Sequence, residues 1–435
     1  MRISTNMIYG KGVATLQNQT AELLRTQQQV STGRRILTPA DDPIASARAL
    51  ELGQSQAVNQ QFGRNIAYAD DNLKILEGKL VGVGDILQYS RERAVQAGNG
   101  SMTATDLGYL ATDLKSQFEA LFGLANSRDG QGDYIFSGFK ANTKPFEGGL
   151  SGVQYQGDEG GRTIQVSASR FMPVSLPGAD VFDRSRIVDV NALRTPSDDK
   201  PTTNDALYSF KGNNNTGTAS ALQVSFDPAT VDPATDLGKR YQLQYSQPDP
   251  LVDGTWSVIM SVPGGEAVPV AASPNPPSPA TPTSLTFNGI TVQLPADAPP
   301  VSDADATPLG DGDAFEVFVA STKMFDNYAL FVSALDDQGA VGAAGGVAFA
   351  LENLDFALEN VLKVRAQIGS QMVETEQLQN LGADLDLQYS QAISRLEDVD
   401  YAEALSRLVQ QQSYLQAAQQ SFLRITGLSL FNFLS

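Results

Sequence analysis

The residue types that enzymes most often use for catalysis and metal binding are scarce in this chain. Its 435 residues include no cysteine and no histidine. Disulfides, cysteine or histidine metal ligands, cysteine nucleophiles and Ser-His triads are therefore excluded. Any chemistry must come from carboxylates, hydroxyls, amides and amines.

Three short patterns of these types could do chemistry, and each has a plainer explanation. Ser197 and Lys200 have the S-x-x-K spacing, but they lie in a proline-bounded loop without the companion motifs of that enzyme class. Acidic residues cluster from Asp303 to Glu316 without the spacing of a calcium loop. Asn99 begins a glycan-acceptor triplet, although a glycine turn between helices is favoured. We therefore predict no catalytic, cofactor or metal site.

The net charge of −19 is unevenly distributed. Residues 1–42 carry five basic and three acidic side chains, and residues 401–435 carry two basic and one acidic, so the rest sums to −22 (−19 − 2 − 1). The acidic charge of residues 43–400 argues against a nucleic-acid partner, because affinity for phosphates comes from Lys and Arg. No stretch approaches a transmembrane span, and the N-terminus lacks the apolar core of a signal peptide, so we expect no membrane insertion and no cleaved signal.

Both ends of the chain show the apolar spacing of helices. Apolar residues recur every three or four positions up to about residue 140 and again from about 325, which places them on one stripe of each helix. The stripe of the longest N-terminal helix comprises Ile66, Ala69, Leu73, Leu76, Leu80, Val83 and Leu87. A helix with one apolar stripe must bury it, so the N- and C-terminal helices are predicted to pair as an extended bundle or coiled coil.

The helices nearest the two termini have weaker stripes. Polar residues interrupt them at Thr20 and Gln27 near the start and at Gln412 and Gln419 near the end. Because such helices are marginal alone, we expect them to gain most of their stability from neighbouring copies. The predicted assembly seam consists of Val13, Leu16, Leu23, Val30, Leu405, Leu408, Leu415 and Phe422.

A break separates the first helix from the second. The segment from Gly33 to Pro43 contains two prolines and two aspartates before helical spacing resumes. Asp41 or Asp42 can cap the following helix, and Pro43 suits its first turn. This break is predicted to separate a helix that folds within the assembly from one that folds within the subunit.

From about residue 145 to 320 the pattern changes to that of β-strands. One predicted hairpin folds residues 153–155 back onto 164–168 around Gly160-Gly161, and another turns at Asn288-Gly289. The segments RYQLQYS, TWSVIMSV and AFEVFVA add further strands, and proline-rich stretches look like linkers. We predict two small β domains, one inserted within the other.

Four separated segments resemble one family. They are VSTGRRILTPADDPIASARAL, MRIST, GDYIFSGFKANTKPF and SFLRITGLSLFNFL. The first is similar to a segment near the start of bacterial flagellins and hook-associated proteins, and together they resemble the hook-associated protein 3 family within the flagellin-like proteins. The resemblance covers roughly residues 1–180 and 325–435.

The resemblance implies a structural, non-enzymatic protein of the bacterial flagellum that joins hook to filament. It implies export through the flagellar type III apparatus and an extracellular location. The implied partners are hook-associated protein 1, flagellin, further copies in a ring-like layer and an export chaperone. A flagellin-like filament subunit is the alternative nearest to this.

An adhesin or glycan-binding protein on a helical stalk is a second alternative, with Tyr245 and Trp256 as its first candidate residues. A glycosidase that uses carboxylates is compatible with the composition, although no pair of acids stands out.

The predicted fold is α+β and multidomain, with β-rich domains inserted between the paired terminal helices. We expect a terminal helical assembly segment, a helical rod domain, a β domain and an outer β domain inserted in it. Their predicted bounds are, in that order, 1–42 with 401–435, 43–144 with 325–400, 145–204 with 298–324, and 205–297.

Overall fold

A computed structural model provides the structure of the protein. It describes residues 5–99, 101–184, 207–211, 223–226, 238–246, 255–261, 268–275, 284–294, 311–336 and 343–434. The chain forms two compact units. The first comprises Met1–Ala67, Gln165–Arg170 and Glu376–Ser435, and the second comprises Tyr68–Ile164 and Phe171–Thr375.

The α-helices form where the sequence shows helical spacing. Their bounds are α1 Thr5–Thr32, α2 Pro43–Ala97, α3 Ala104–Ala125, α4 Met324–Asp336, α5 Ala343–Glu397 and α6 Tyr401–Leu434. Thr103 caps α3, because its side chain accepts from the Asp106 N–H while the Asp106 carboxylate accepts from the Thr103 N–H. The seven residues of the predicted α2 stripe are at most 3% exposed, which confirms the stripe.

The helices of the second unit pack around aromatic side chains. Phe118 of α3 and Phe325 of α4 are buried, with ring centroids 5.6 Å apart in a T-shaped arrangement. The Phe325 ring also stacks on Phe182, which lies in a short π-helical turn at Ala179–Asp183. Such aromatic pairs add to the stability that burial provides.

The strands that the structure describes between α3 and α4 form four antiparallel sheets. The strand bounds are β1 Phe146–Gly149, β2 Gly152–Tyr155, β3 Thr163–Ser167, β4 Arg170–Pro173, β5 Leu207–Lys211, β6 Gln223–Phe226, β7 Arg240–Ser246, β8 Thr255–Ser261, β9 Val268–Val270, β10 Ser273–Asn275, β11 Ser284–Phe287, β12 Ile290–Gln293 and β13 Ala314–Val319. The largest sheet has the order β5-β13-β7-β8-β9, and a second has the order β10-β11-β12-β6. The others are the two-stranded sheets β1-β2 and β3-β4.

One predicted hairpin is confirmed and one is wrong. Phe287 pairs with Ile290 around Asn288 and Gly289, whose φ angles of 43° and 74° suit a tight hairpin turn. Residues 153–155, however, do not pair with 164–168. β2 pairs with β1, and β3 pairs with β4. The alternation of apolar and polar residues identified the strands correctly, but each strand pairs with a strand nearer in sequence than the predicted one.

Strand β13 lies between β5 and β7 in the largest sheet. Its Val317 pairs with Ser209 of β5 on one side and with Tyr241 of β7 on the other. The sequence pattern predicts β13 in the domain formed by 145–204 and 298–324, and β5 and β7 in the domain formed by 205–297. One sheet therefore contains strands from both of the predicted β domains.

Candidate assembly surface

Helices α1 and α6 pack on each other in the first unit, and two glycines fix how closely they approach. A Cβ atom placed on Gly12 would lie 2.7 Å from the ring of Phe422, and one on Gly33 would lie 2.9 Å from the hydroxyl of Tyr401. The start of α1 therefore faces the later part of α6, and the end of α1 faces the start of α6. The two helices are antiparallel.

The structure brings together seven of the eight residues of the predicted seam. Half-buried side chains line the facing surfaces of α1 and α6, namely Val13, Leu16, Leu23, Val30, Leu408, Leu415 and Phe422. The eighth, Leu405, is 48% exposed, whereas its neighbour Ala404 is only 4% exposed. Leu405 therefore projects away from α1, because a one-residue step rotates a helical side chain by about 100°. Its place in a contact between copies stays a prediction.

The polar positions of the seam also differ from the predicted ones. Thr20, Gln27, Gln412 and Gln419 are exposed. The residues one position earlier are buried or half-buried instead, namely Gln19, Thr26, Gln411 and Ala418.

Two of these inward side chains weaken the pair. Within the described part of the chain, the buried Oε1 atoms of Gln19 and Gln411 have no hydrogen-bond partner. Each such atom costs about 1–3 kcal/mol. The α1–α6 pair is thus weakly stabilised, through residues one position away from those we expected.

The two aspartates in the break between α1 and α2 make different contacts. Asp42 caps α2, since its Oδ1 accepts from the N–H of Ala45 at 3.0 Å, and Pro43 is the first helical residue. Asp41 accepts from the N–H groups of Leu37 and Thr38 at 2.9 Å and pairs with Arg25 of α1.

These contacts lower the pKa of both carboxyl groups. The largest cause is the backbone hydrogen bond from Thr38 for Asp41 and from Ala45 for Asp42. The sequence left open which aspartate is the cap, and the structure assigns it to Asp42.

The break between α5 and α6 lies against the first break. The Gly33 carbonyl accepts from the N–H of Val399 at 3.0 Å, and the Arg35 guanidinium donates to the carbonyl of Leu396 at 2.7 Å. Gly33 has a φ of 72°, which glycine adopts without strain and which ends α1. Both terminal helices therefore leave the long helices at one joined connection.

The outer face of α6 carries exposed apolar side chains. Leu405, Val409 and Leu423 are 48%, 61% and 69% exposed, and Leu24 of α1 is 53% exposed. More than half of the large hydrophobic side chains that the described residues expose belong to the first unit. Exposed apolar residues concentrated in one region indicate a surface that binds other molecules.

The other candidate residues do not form a second site. Tyr245 is 5% exposed and its ring contacts Trp256 at a tilted angle, with the ring centroids 5.2 Å apart. Trp256 packs against the sheet core, so neither residue is an exposed glycan platform. Glu316 is buried in an ion pair with Arg240. The positions of Ser197, Lys200, Asp303 and Asp305 lie outside the described residues.

The described ranges contain no group of three or more acidic residues placed to hold a metal ion. None of the helices described is long and apolar enough to cross a bilayer.

Comparison with known proteins identifies the family of both helical ends. The model of the bacterial flagellin N-terminal helical region matches residues 3–141, and that of the C-terminal helical region matches residues 351–434. Together these matches cover 223 of 435 residues (139 + 84). The N-terminal match includes α1, α2 and α3, and the C-terminal match ends with α6.

The similarity extends over the whole chain in two curated relatives. The flagellar hook-associated protein 3 of Salmonella typhimurium and that of Escherichia coli are each 28% identical over 431 residues, which is 99% of this chain and 99% of each relative. A crystal structure of hook-associated protein 3 from Legionella pneumophila is 22% identical, with a TM-score of 0.49, over 79% of this chain and 98% of that one. The chain belongs to the bacterial flagellin family, and it is a structural protein of the flagellum with full-length similarity to hook-associated protein 3.

Proposed function

We propose that copies of this chain form a ring-like layer that joins the flagellar hook to the filament. Its neighbours are hook-associated protein 1 on the hook side and flagellin on the filament side. The chain leaves the cell through the flagellar type III apparatus, after an export chaperone has held it in the cytoplasm. Its role is structural and extracellular, without catalysis or a cofactor.

The observation that supports this proposal best is the incomplete burial of α1 and α6. Their facing stripes are only half-buried, two glutamine oxygens lie unpaired between them, and α6 exposes a further apolar face. Burying one exposed Leu or Val contributes about 1.5–3 kcal/mol. A layer of many copies repeats that contribution in every subunit, so these helices gain from neighbours the stability that their own pairing lacks.

The predicted parts of the chain then have separate roles. Residues 1–42 with 401–435 form the assembly segment, and residues 43–144 with 325–400 form the rod that supports it. The β-rich residues between them face outwards, where their acidic character keeps the surface soluble. The joined breaks at 33–42 and 398–400 connect the assembly segment to the rod.

Deleting the gene in its host tests the proposal directly. Electron micrographs of the deletion strain are expected to show hooks without filaments, with flagellin lost to the medium. The full chain supplied from a plasmid restores filaments, whereas a chain without residues 401–435 does not. Normal filaments on the deletion strain would overturn the proposed function.

A further inference from the structure

The long helices of the first unit enclose an apolar groove that the assembly seam does not use. The groove holds about 510 Å³ and lies between α2, α5 and the turn after β3. Phe62, Ile66, Leu378 and Leu385 line it. At its rim, Val58 is 54% exposed and Leu381 is 55% exposed.

Polar cross-links hold the two walls at a fixed separation. Asn59 donates to the carbonyl of Gly382 at 2.7 Å, Gln56 to the Ser390 hydroxyl at 2.8 Å, and Gln60 to Asp386 at 3.1 Å. The β3–β4 hairpin is also held against α2, because the Asn65 side chain donates to the carbonyl of Gln165 at 2.6 Å. Amide groups join α2 to α5 here, so the groove cannot close by apolar contact between its walls.

Gly63 lies in the interior of α2 and lines the groove. A Cβ atom on Gly63 would meet nothing within 4 Å, so packing within the chain does not require glycine there. Glycine costs a helix interior about 1 kcal/mol relative to alanine. A small residue at this position keeps the groove deep enough for a side chain from outside.

Charge favours a terminal helix of a second copy as the occupant, and α6 is one of the two terminal helices that each carry a net charge of +1. Residues 376–400, which include one wall, carry six acidic side chains and one arginine, a net charge of −5. Residues 401–434 carry two arginines and one glutamate, a net charge of +1. In a chain of −19, α6 is therefore a helix that can approach this wall without like-charge repulsion.

The shape of α6 agrees with this choice. Leu405 and Val409 are four residues apart and project from the face that α1 does not cover. An amphipathic helix enters a hydrophobic groove through side chains at this spacing. The groove spans Glu51 to Ile66 along α2, roughly 22 Å at 1.5 Å per residue, which is long enough for four helical turns.

From these features we infer that the outer face of α6 from one copy binds in the α2–α5 groove of the next copy. The inference rests on the proposed function and specifies how copies contact each other in the layer. Because groove and helix are different surfaces, the contact is head-to-tail and can continue from copy to copy.

Filling the groove tests the inference with a matched control. Gly63→Leu places a side chain in the groove, whereas Gly78→Leu adds the same side chain at another α2 glycine that has nothing within 4 Å of its Cβ and does not line the groove. Both purified variants are expected to unfold at the wild-type temperature or slightly above it. In the deletion strain Gly63→Leu is expected to lose filaments, and Gly78→Leu is expected to restore them.

Cysteine cross-linking identifies the occupant, because the chain has no cysteine of its own. One copy carries Leu381→Cys, and a second, size-tagged copy carries Val409→Cys. Oxidised flagella from cells that make both are expected to yield a disulfide-linked pair of mixed size. The control pair of Leu362→Cys with Val409→Cys places one cysteine on α5 outside the groove and is expected to yield none.

The possible failures are distinguishable. Normal filaments with Gly63→Leu, or a cross-link from Leu381→Cys to a different flagellar protein, would overturn the groove contact and leave the junction role intact. If the wild-type chain itself does not restore filaments, the proposed function fails.

Discussion

The backbone N–H of Arg35 donates to the carbonyl oxygen of Glu397 at 2.6 Å, which joins the two helix breaks of the first unit. The same arginine pairs through its guanidinium with Asp42, the cap of α2. A single residue therefore contacts the start of one long helix and the end of the other. The direction in which α1 and α6 leave the long helices is set at this connection.

Replacing Arg35 with alanine is expected to loosen the connection without unfolding either unit. The variant loses the side-chain bonds to Leu396 and Asp42 and keeps the backbone bond to Glu397. Since the side chain is 46% exposed, the loss should be about 1 kcal/mol. Amide exchange at position 35 and at Val399 should therefore become roughly fivefold faster.

Arg48→Ala, at an exposed arginine of α2, is the control and should leave both rates unchanged. Unchanged exchange in the Arg35 variant would show that the backbone bonds alone hold the connection.

A charge placed in the α1–α6 seam is expected to prevent filament attachment while the second unit stays folded. Leu415 is half-buried against α1, whereas Gln412 on the same helix is exposed. Leu415→Asp should accelerate amide exchange along α1 and prevent filament attachment, because it removes about 1–2 kcal/mol of burial and places a carboxylate in the seam. The thermal unfolding of the second unit should not change.

Gln412→Asp introduces the same charge on the exposed side and should attach normally. Secretion separates two causes for the Leu415 variant. Secreted but unattached protein indicates loss of the seam, and protein retained in the cell indicates that the export chaperone holds this face. A secreted variant that supports normal filaments shows that the α1–α6 seam is not needed for assembly.

Asp183 makes the second unit sensitive to pH. Burial raises the pKa of its carboxyl group to about 6, and nearby Lys323 offsets only part of this increase. The folded chain therefore binds a proton more tightly than the unfolded chain, whose Asp pKa is about 3.9. The contribution of this group to stability is fully present below about pH 4 and is lost as the pH rises through 6.

Asp183→Asn removes the buried charge and is expected to raise the free energy of unfolding at pH 8 by about 1–3 kcal/mol, with no gain at pH 4. Denaturant titration at both pH values measures this. Glu159→Gln, at a 76% exposed carboxylate near the same turn, should change neither value by more than a few tenths of a kcal/mol. An equal gain at both pH values would show that ionisation of Asp183 is not the cause.

A deletion that removes the largest sheet should remove β5, β7 and β13 together, because these strands pair with one another. Leu207 of β5 pairs with Val319 of β13, so these residues are about 5 Å apart. Replacing residues 208–318 with a short Gly-Ser linker is expected to leave secretion and attachment intact.

Replacing only 205–297 would leave β13 without β5 and β7, with both of its edges unpaired. We expect that shorter deletion to aggregate. Loss of secretion in the longer deletion alone would show that the sheet has a role in export.

Local signals predicted the elements of this fold well. The period of three and four residues identified the long helices, and the stripe from Ile66 to Leu87 is buried throughout. The same spacing could not distinguish Gln19 from Thr20 as the inward position, or Ala404 from Leu405. Neighbouring positions fit a helical stripe almost equally well, and only the position of the partner helix decides between them.

Strand pairing and the groove depended on contacts distant in sequence. Alternating residues indicated β13, but not its place between β5 and β7, because a strand's pattern carries no record of its partner. Val58, Phe62 and Ile66 recur every four residues, but that spacing is the same for a buried seam and for an open groove. The groove exists because Gln56, Asn59 and Gln60 hold α5 at a distance.

The sequence by itself determined the paired terminal helices, the break between α1 and α2, the β insertion and the family. It did so because periodicity, turn residues and motifs are properties of short stretches of chain. Only the tertiary structure decided which face of α6 stays open, that Asp42 caps α2 while Asp41 holds the loop and Arg25, and how the two breaks join. Those outcomes depend on which surfaces meet, and the meeting residues are separated by up to hundreds of positions along the chain.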